Sequence, residues 1–374
     1  MPTVRRAAMG LPRELDDPTG IDFVELYVGN ARQASLYYRA ALGFRLVGYR
    51  GPETGCRDRA SHVLTQGRVR LVLTAPLGPD GPIADHVRLH GDGVRDLALQ
   101  VPDARRAWKR ALSRGGASVV APRTLSDDRG EVVIAAIRTY GDTIHSLVER
   151  RGYDGLFLPG FVPVESRYDP PPIGVLDVDH CVANVEQGTL SGWARFYEEV
   201  LGLRELARFD GDTISTGRSA LVSRVMVSRD GGIKLPLNEG APGPRRSQVD
   251  EFIGYYRGAG CQHVALTTSD IVATVSALRD RGVELLRGPD GHHETARGRV
   301  GEIDEDLGLL HELGILVDRD EDGYLLQIFT KPVQDRPTLF YEIIQRKGAK
   351  GFGAGNFKAL FEAVEREQAR RGNL

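Results

Sequence analysis

Two imidazoles and one carboxylate, on His180, His263 and Glu342, are the side chains in this sequence best suited to metal chemistry. Two histidines and a carboxylate can hold one face of a divalent ion and leave the opposite positions open, the arrangement associated with Fe(II) oxygenases. The three cysteines, Cys56, Cys181 and Cys261, are too few for a closed thiolate zinc site. They also make no disulfide framework, which suits a reducing cytoplasm. The candidate ligands form no local motif, so the fold has to bring them together.

An internal repeat shows how it can. The segment from Ile21, IDFVELYVGNARQASLYYRAALGF, resembles the one from Leu176, LDVDHCVANVEQGTLSGWARFYEEVLGL. Each reads as an alternating strand, a polar turn and an amphipathic helix ending near glycine. A second pair, beginning at Gly91 and Gly258, again leads from strand to helix, with Asp103 or Asp270 near the helix start. Both halves later reach a strand-like run ending in arginine, HSLVER from His145 and TLFYEIIQR from Thr338. Pro- and Gly-rich sequence from Leu158 and Tyr168 joins them, so one domain is expected over 1–157 and a second over 158–374.

Laid side by side, His180 matches Glu25, His263 matches Asp96 and Glu342 matches Ser146. Only the second half has the full donor set, so the first is expected to keep the fold without a metal. Strand alternation puts Val182 and Ala265 on the face of their histidines and Cys181 with Val264 on the other, which makes Cys181 a core residue. The tail NFKALFEAVEREQARRG has Phe357, Leu360, Phe361 and Val364 on one helical stripe, with Asn356 as N-cap and Gly372 as stop.

The strings VDHCVANV, GCQHVALTT, DRDEDGYLLQIFTKPVQDRPTLFYEIIQR and GFGAGNFKALFEAVEREQ resemble hallmark segments of the 4-hydroxyphenylpyruvate dioxygenase family. The likeness runs from about Gly20 to the C-terminus. It implies an α+β protein of the vicinal oxygen chelate fold, with repeated βαβββ-type modules in two open barrel-like halves and a C-terminal helix over the catalytic half. It implies one Fe(II) per chain on His180, His263 and Glu342. Ser223, Asn238, Gln248, Gln262 and Gln327 fall at the family's pocket positions, and Phe329, Phe340, Phe352 and Phe357 at those enclosing the substrate ring. The implied reaction takes 4-hydroxyphenylpyruvate, an aromatic 2-oxo acid, and O2 to homogentisate and CO2. It proceeds by oxidative decarboxylation, ring hydroxylation and side-chain migration, within tyrosine breakdown. The likeness also implies a homodimer or homotetramer.

4-Hydroxymandelate synthase uses the same iron and substrate but hydroxylates the benzylic carbon. Phe357, Asn238 and KPVQDRP from Lys331 follow the dioxygenase pattern, whereas Tyr341 is shared with many synthases. An extradiol-type dioxygenase could also use two His and one Glu, and a non-catalytic binding protein is the remaining class. The long match and the C-terminal helix stand against the first, and the intact donor set against the second.

The 374 residues are 41% hydrophobic and 27% charged, the balance of a soluble globular protein. A formal net charge of -2 gives no bulk electrostatic reason to bind nucleic acid or an anionic membrane. No apolar stretch approaches a membrane span, and the opening twenty residues read as no signal peptide. Three further features are set aside. DRDEDG from Asp318 has Phe329 where a calcium loop needs Glu, so it reads as a turn into a strand. His86 and His90 read as solvent or capping positions, and His292 with His293 as part of a polar loop.

Overall fold

The computed structural model describes residues 17–211 and 214–373. The first half begins with β1 (Gly20–Tyr27), α1 (Ala31–Leu42), β2 (Arg45–Arg50), β3 (Arg59–Gln66) and β4 (Val69–Pro76). It continues through α2 (Pro82–His90), β5 (Gly93–Gln100), α3 (Ala104–Ser113), β6 (Ser118–Asp127), β7 (Gly130–Arg138), β8 (Ile144–Glu149) and β9 (Val162–Pro163). The second half opens with β10 (Val175–Val185), α4 (Leu190–Glu199), β11 (Arg204–Phe209), β12 (Ala220–Val227), β13 (Lys234–Ala241) and α5 (Gln248–Tyr256). Then follow β14 (Gly260–Thr268), α6 (Ile271–Asp280), β15 (Leu285–Leu286), α7 (Asp290–Glu294), α8 (Ala296–Val300) and α9 (Leu307–Leu313). The chain closes with β16 (Leu316–Arg319), β17 (Tyr324–Thr330), β18 (Phe340–Lys347) and α10 (Ala354–Arg370).

The duplication is visible in the strand order. One sheet contains β8-β5-β1-β4-β3-β2 and the other β18-β14-β10-β13-β12-β11. Pair by pair the directions agree: β1 with β4 and β10 with β13 are parallel, β1 with β5 and β10 with β14 antiparallel. Each half is therefore the expected α+β module repeat, curled into an open half-barrel. The helix starts repeat as well. Asp103 accepts from the Arg106 amide at 2.8 Å, and Asp270 accepts from the Ala273 amide at 2.9 Å, so equivalent aspartates cap α3 and α6. The repeat gave no sign of α7 to α9, which are inserted in the second half alone.

A continuous apolar core lies between the two halves and includes Leu26, Leu42 and Tyr140 of the first with Cys181, Tyr197 and Val264 of the second. Cys181 is thus in the core, as its strand position implied. Two polar contacts fix the register of the halves inside this core. Tyr341 donates its hydroxyl to that of Tyr38 at 3.1 Å, and His145 Nε2 meets the Tyr197 hydroxyl at 2.9 Å. Tyr341 is adjacent to Glu342 on β18 and so points to the opposite face of the sheet, into the seam. The linker stays with the first half as far as Pro163. Phe157 and Leu158 pack there, and Val162 and Pro163 pair with β2. We therefore place the domain boundary in the following Pro-rich stretch and not at 157/158.

Tyr341→Phe removes the donor to Tyr38 and leaves a phenol with no partner in the dry seam. The expected loss is about 1–2 kcal/mol, read as a lower denaturant midpoint with an unchanged slope. Converting Tyr38 to Phe as well should recover part of it.

Candidate metal centre

His180, His263 and Glu342 come from β10, β14 and β18, three neighbouring strands of one sheet. His180 Nε2 lies 3.1 Å from Glu342 Oε2, and His263 Nε2 lies 3.4 Å from the same oxygen. All three residues are at most 3% exposed. A register shift between Val178 and His180 breaks the β10–β14 ladder where the first imidazole projects.

The groups behind the triad set its chemistry. Asp179 Oδ2 accepts from His180 Nδ1 at 2.7 Å, and Arg346 holds the same carboxylate through two bonds of 2.8 Å. A carboxylate only accepts, so Nδ1 carries the proton and the Nε2 lone pair is turned toward Glu342, the tautomer a metal ligand requires. His263 Nδ1 lies 3.2 Å from Gln262 Oε1, which directs its Nε2 the same way. Gln327 donates to Glu342 Oε1 at 2.6 Å and accepts from Asn356 on α10 at 2.8 Å. Burial opposes charge on His180, yet Glu342 ahead and Asp179 behind raise its pKa above the ordinary value. Burial likewise opposes charge on Glu342, but His180 and His263 outweigh it and bring the carboxyl to about 2. The site thus holds an anionic carboxylate that needs a positive partner. Two imidazole nitrogens and a carboxylate oxygen so placed make a donor set that fits a divalent ion.

Above the triad is a cavity walled by Phe209, Phe329, Phe352, Phe357 and Leu360, with Ser223, Asn238 and Gln327 as its other polar residues. Ser223 and Asn238 are paired across β12 and β13, and Ser223 Oγ and Asn238 Oδ1 are buried without hydrogen-bond partners. Gln248, Gln262 and Phe340 line an adjoining pocket instead. Phe340 still touches the centre, stacking on the His263 ring at 4.8 Å. Asn356 does not cap α10, as its sequence position suggested. It lies inside the helix, and Asp318 receives the terminal amides of Gly355 and Asn356 at 2.7 and 3.3 Å. Asp179, Arg346, Asp318 and Phe209 had no signal in the sequence beyond their types. Within the DRDEDG segment, Asp318 and Arg319 end β16 and the rest is the expected turn into β17. His292 belongs to α7, where its ring accepts from Arg299 at 2.8 Å, and not to a loop.

The first half preserves the site's outline without its donors. Glu25, Asp96 and Ser146 line one cavity, at the three equivalent strands. Ser146 donates its amide to Asp96 Oδ1 at 2.9 Å and its hydroxyl to Oδ2 at 2.5 Å, while Thr74 donates to Glu25 at 2.6 Å. Burial pushes the Asp96 carboxyl up to about 7 although Ser146 pulls the other way. Between pH 4 and pH 7 the folded state keeps a proton that the unfolded chain gives up. This group's contribution is therefore fully present below about pH 4 and is lost as pH rises toward 7, on the order of 4 kcal/mol in all. Asp96→Asn removes this dependence. In urea melts, the stability of the variant relative to wild type should rise from pH 4.5 to pH 7.5, and a constant difference would contradict the assignment.

Two family models cover the chain in succession. The one described as "Hydroxyphenylpyruvate dioxygenase, HPPD, N-terminal" matches residues 15–169. The one described as "Glyoxalase/Bleomycin resistance protein/Dioxygenase superfamily" matches residues 177–328. A 4-hydroxyphenylpyruvate dioxygenase of Yarrowia lipolytica is 45% identical over 96% of this chain and 95% of its own. Its counterpart in Dictyostelium discoideum is 44% identical over 95% of this chain and 100% of its own. A solved triple mutant of 4-hydroxymandelate synthase from Streptomyces coelicolor is 37% identical with a TM-score of 0.84, covering 94% of this chain and 99% of that one. Full-length likeness at this level, on a duplicated vicinal oxygen chelate fold, shows that this chain belongs to the 4-hydroxyphenylpyruvate dioxygenase family.

Proposed function

We propose that this chain holds Fe(II) on His180, His263 and Glu342 and converts 4-hydroxyphenylpyruvate and O2 to homogentisate and CO2. The observation that carries it is the convergence of two imidazole lone pairs and one carboxylate oxygen beneath an aromatic cavity. Bound there, Fe(II) supplies chelation of the 2-oxo acid and the redox chemistry that activates O2. The protein supplies the rest. Among the described residues no lysine or arginine lines the cavity, so the metal is the positive partner for a substrate carboxylate. Gln327 holds the second Glu342 oxygen, which keeps that carboxylate to one ligand atom and an open side. Ser223 and Asn238, lacking protein partners, hydrogen-bond the polar end of the substrate without adding charge. The Phe walls orient the ring and exclude water, protecting the oxidising step from side reactions.

The cavity volume is ≈ 30 Å³, less than an aromatic ring needs. We infer that Phe352 and Phe357 draw back to admit an aromatic ring, with α10, which carries Phe357, as the lid. The benzylic reading rested on Tyr341, and that residue faces the seam with Tyr38 while Phe357 and Asn238 line the cavity. Among the described residues, no helix is long and apolar enough to cross a membrane. We place the enzyme in the cytoplasm as a homo-oligomer on the strength of the resemblance and the free cysteines.

Two outcomes test this function. After anaerobic loading with Fe(II), 4-hydroxyphenylpyruvate and O2 should give homogentisate by chromatography and mass. Hydroxymandelate would assign the benzylic reaction, and no turnover with iron bound would assign another substrate. Under argon, calorimetry should show the keto acid binding at least about 100-fold more weakly to the metal-free protein, because the cavity has no cation of its own. Equal affinity would contradict chelation.

A further inference from the structure

A second cluster of metal-ligating side chains lies far from the cavity, in the seam between the halves. It consists of His86 and His90 on α2 with Asp142 in the turn between β7 and β8. The solvent or capping role expected for both histidines is wrong, since His86 is 4% and His90 3% exposed. From the geometry we infer that His86, His90 and Asp142 form a second site for a borderline divalent transition metal such as zinc, on the first half where it meets the second.

Three observations carry it. One nitrogen or oxygen atom from each residue lies within 4.8 Å of the others, so side-chain rotations alone can bring them to the ~3.3 Å between ligands on a tetrahedral ion with bonds near 2.0–2.2 Å. His90 Nδ1 bonds the Tyr256 carbonyl, and a carbonyl only accepts, so that nitrogen carries the proton. Its Nε2 faces an Asp142 oxygen 3.0 Å away, a contact that needs a proton or a metal cation between the two atoms. An imidazole whose other nitrogen donates to a backbone carbonyl is also the usual form of a metal-ligating histidine. Independently, neither ring nitrogen of buried His86 has a hydrogen-bond partner. Burying an imidazole in that way is costly unless something binds it.

The turn that presents Asp142 is built for its place. Gly141 has φ +53, and a Cβ there would meet the Ala259 carbonyl at 2.2 Å, so the second half presses directly on it. Tyr256, at the end of α5, stacks on the His90 ring at 4.3 Å and supplies the carbonyl. Arg95 donates to the Asp142 backbone carbonyl and leaves its carboxylate free for the ion. The Asp142 side chain is 47% exposed, which gives the ion a route in and a solvent-facing fourth position. Metal here ties α2 to the β7–β8 turn, beside the end of α5 that orients His90.

The test is a zinc titration of chelator-stripped, full-length protein against a competing colorimetric chelator, with stoichiometry confirmed by mass spectrometry of the metal. Wild type should take up two zinc ions per chain. Asp142→Asn, which changes a half-exposed group, and His86→Phe, which keeps the ring and breaks no hydrogen bond, should each take up one. For both variants the second site should weaken by about 100-fold or more. His180→Ala should lose the other ion and keep this one, with zinc still raising its thermal midpoint. Two ions in both seam variants, or a single ion in wild type that persists in them and is lost in His180→Ala, would overturn the proposal. The latter result would mean that a proton alone bridges His90 and Asp142.

Discussion

A carboxylate that is 1% exposed, between two imidazoles, is the constraint around which the second half is built. Such a charge is tolerable in a low-dielectric interior only with compensating positive charge close by. Arg346 and Lys234 do not provide it, because both are committed to Asp179 on the far side of His180. Nearly every polar contact around the site follows from this. Asp179 sets the His180 tautomer, Gln327 occupies the Glu342 oxygen turned away from the imidazoles, and Asn356 holds Gln327 in place. The chain of bonds runs from β18 through Gln327 to α10, so the position of α10 and the aim of the carboxylate are linked.

The duplicated fold makes that centre possible. Strands β10, β14 and β18 are neighbours because the module pairs them so, and the same three positions in the first half carry Glu25, Asp96 and Ser146. The first half retains a cavity but binds its carboxylates to hydroxyls and an amide. Its contribution is to form the seam, where a shared apolar core and the Tyr38–Tyr341 and His145–Tyr197 contacts hold the two sheets in one relation. Side chains of β18 thus serve two tasks on alternate faces, Glu342 for the centre and Tyr341 for the seam.

The convergence of His180, His263 and Glu342 was legible in the sequence because strand position in a repeated module survives in the pattern of residues, even when the residues are far apart. Cavity residues on the same strands, such as Ser223, Asn238 and Gln327, were legible by resemblance for the same reason. What was missed depends on contacts between distant segments. The N-cap rule is local, so it nominated Asn356, whereas the actual acceptor is Asp318 from β16. Asp142 was invisible as a partner for His90 because a helix pattern reveals i, i+4 neighbours and says nothing of a turn brought in by the sheet. Gln248 lies in the adjoining pocket because α5 approaches from the side of the barrel, a packing detail with no periodic signature. The linker misled for a related reason: glycine and proline mark irregular backbone, and here part of it pairs with β2.

The most direct test of the centre is an iron-edge anomalous diffraction map of protein loaded anaerobically with Fe(II). The expected result is an iron peak bonded to Nε2 of His180, Nε2 of His263 and one Glu342 oxygen, at about 2.0–2.2 Å as for other divalent ions on these ligands. Gln327 should remain on the other oxygen. A peak that lacks any of the three residues as a ligand would contradict the assignment of this buried carboxylate as the anchor of the metal.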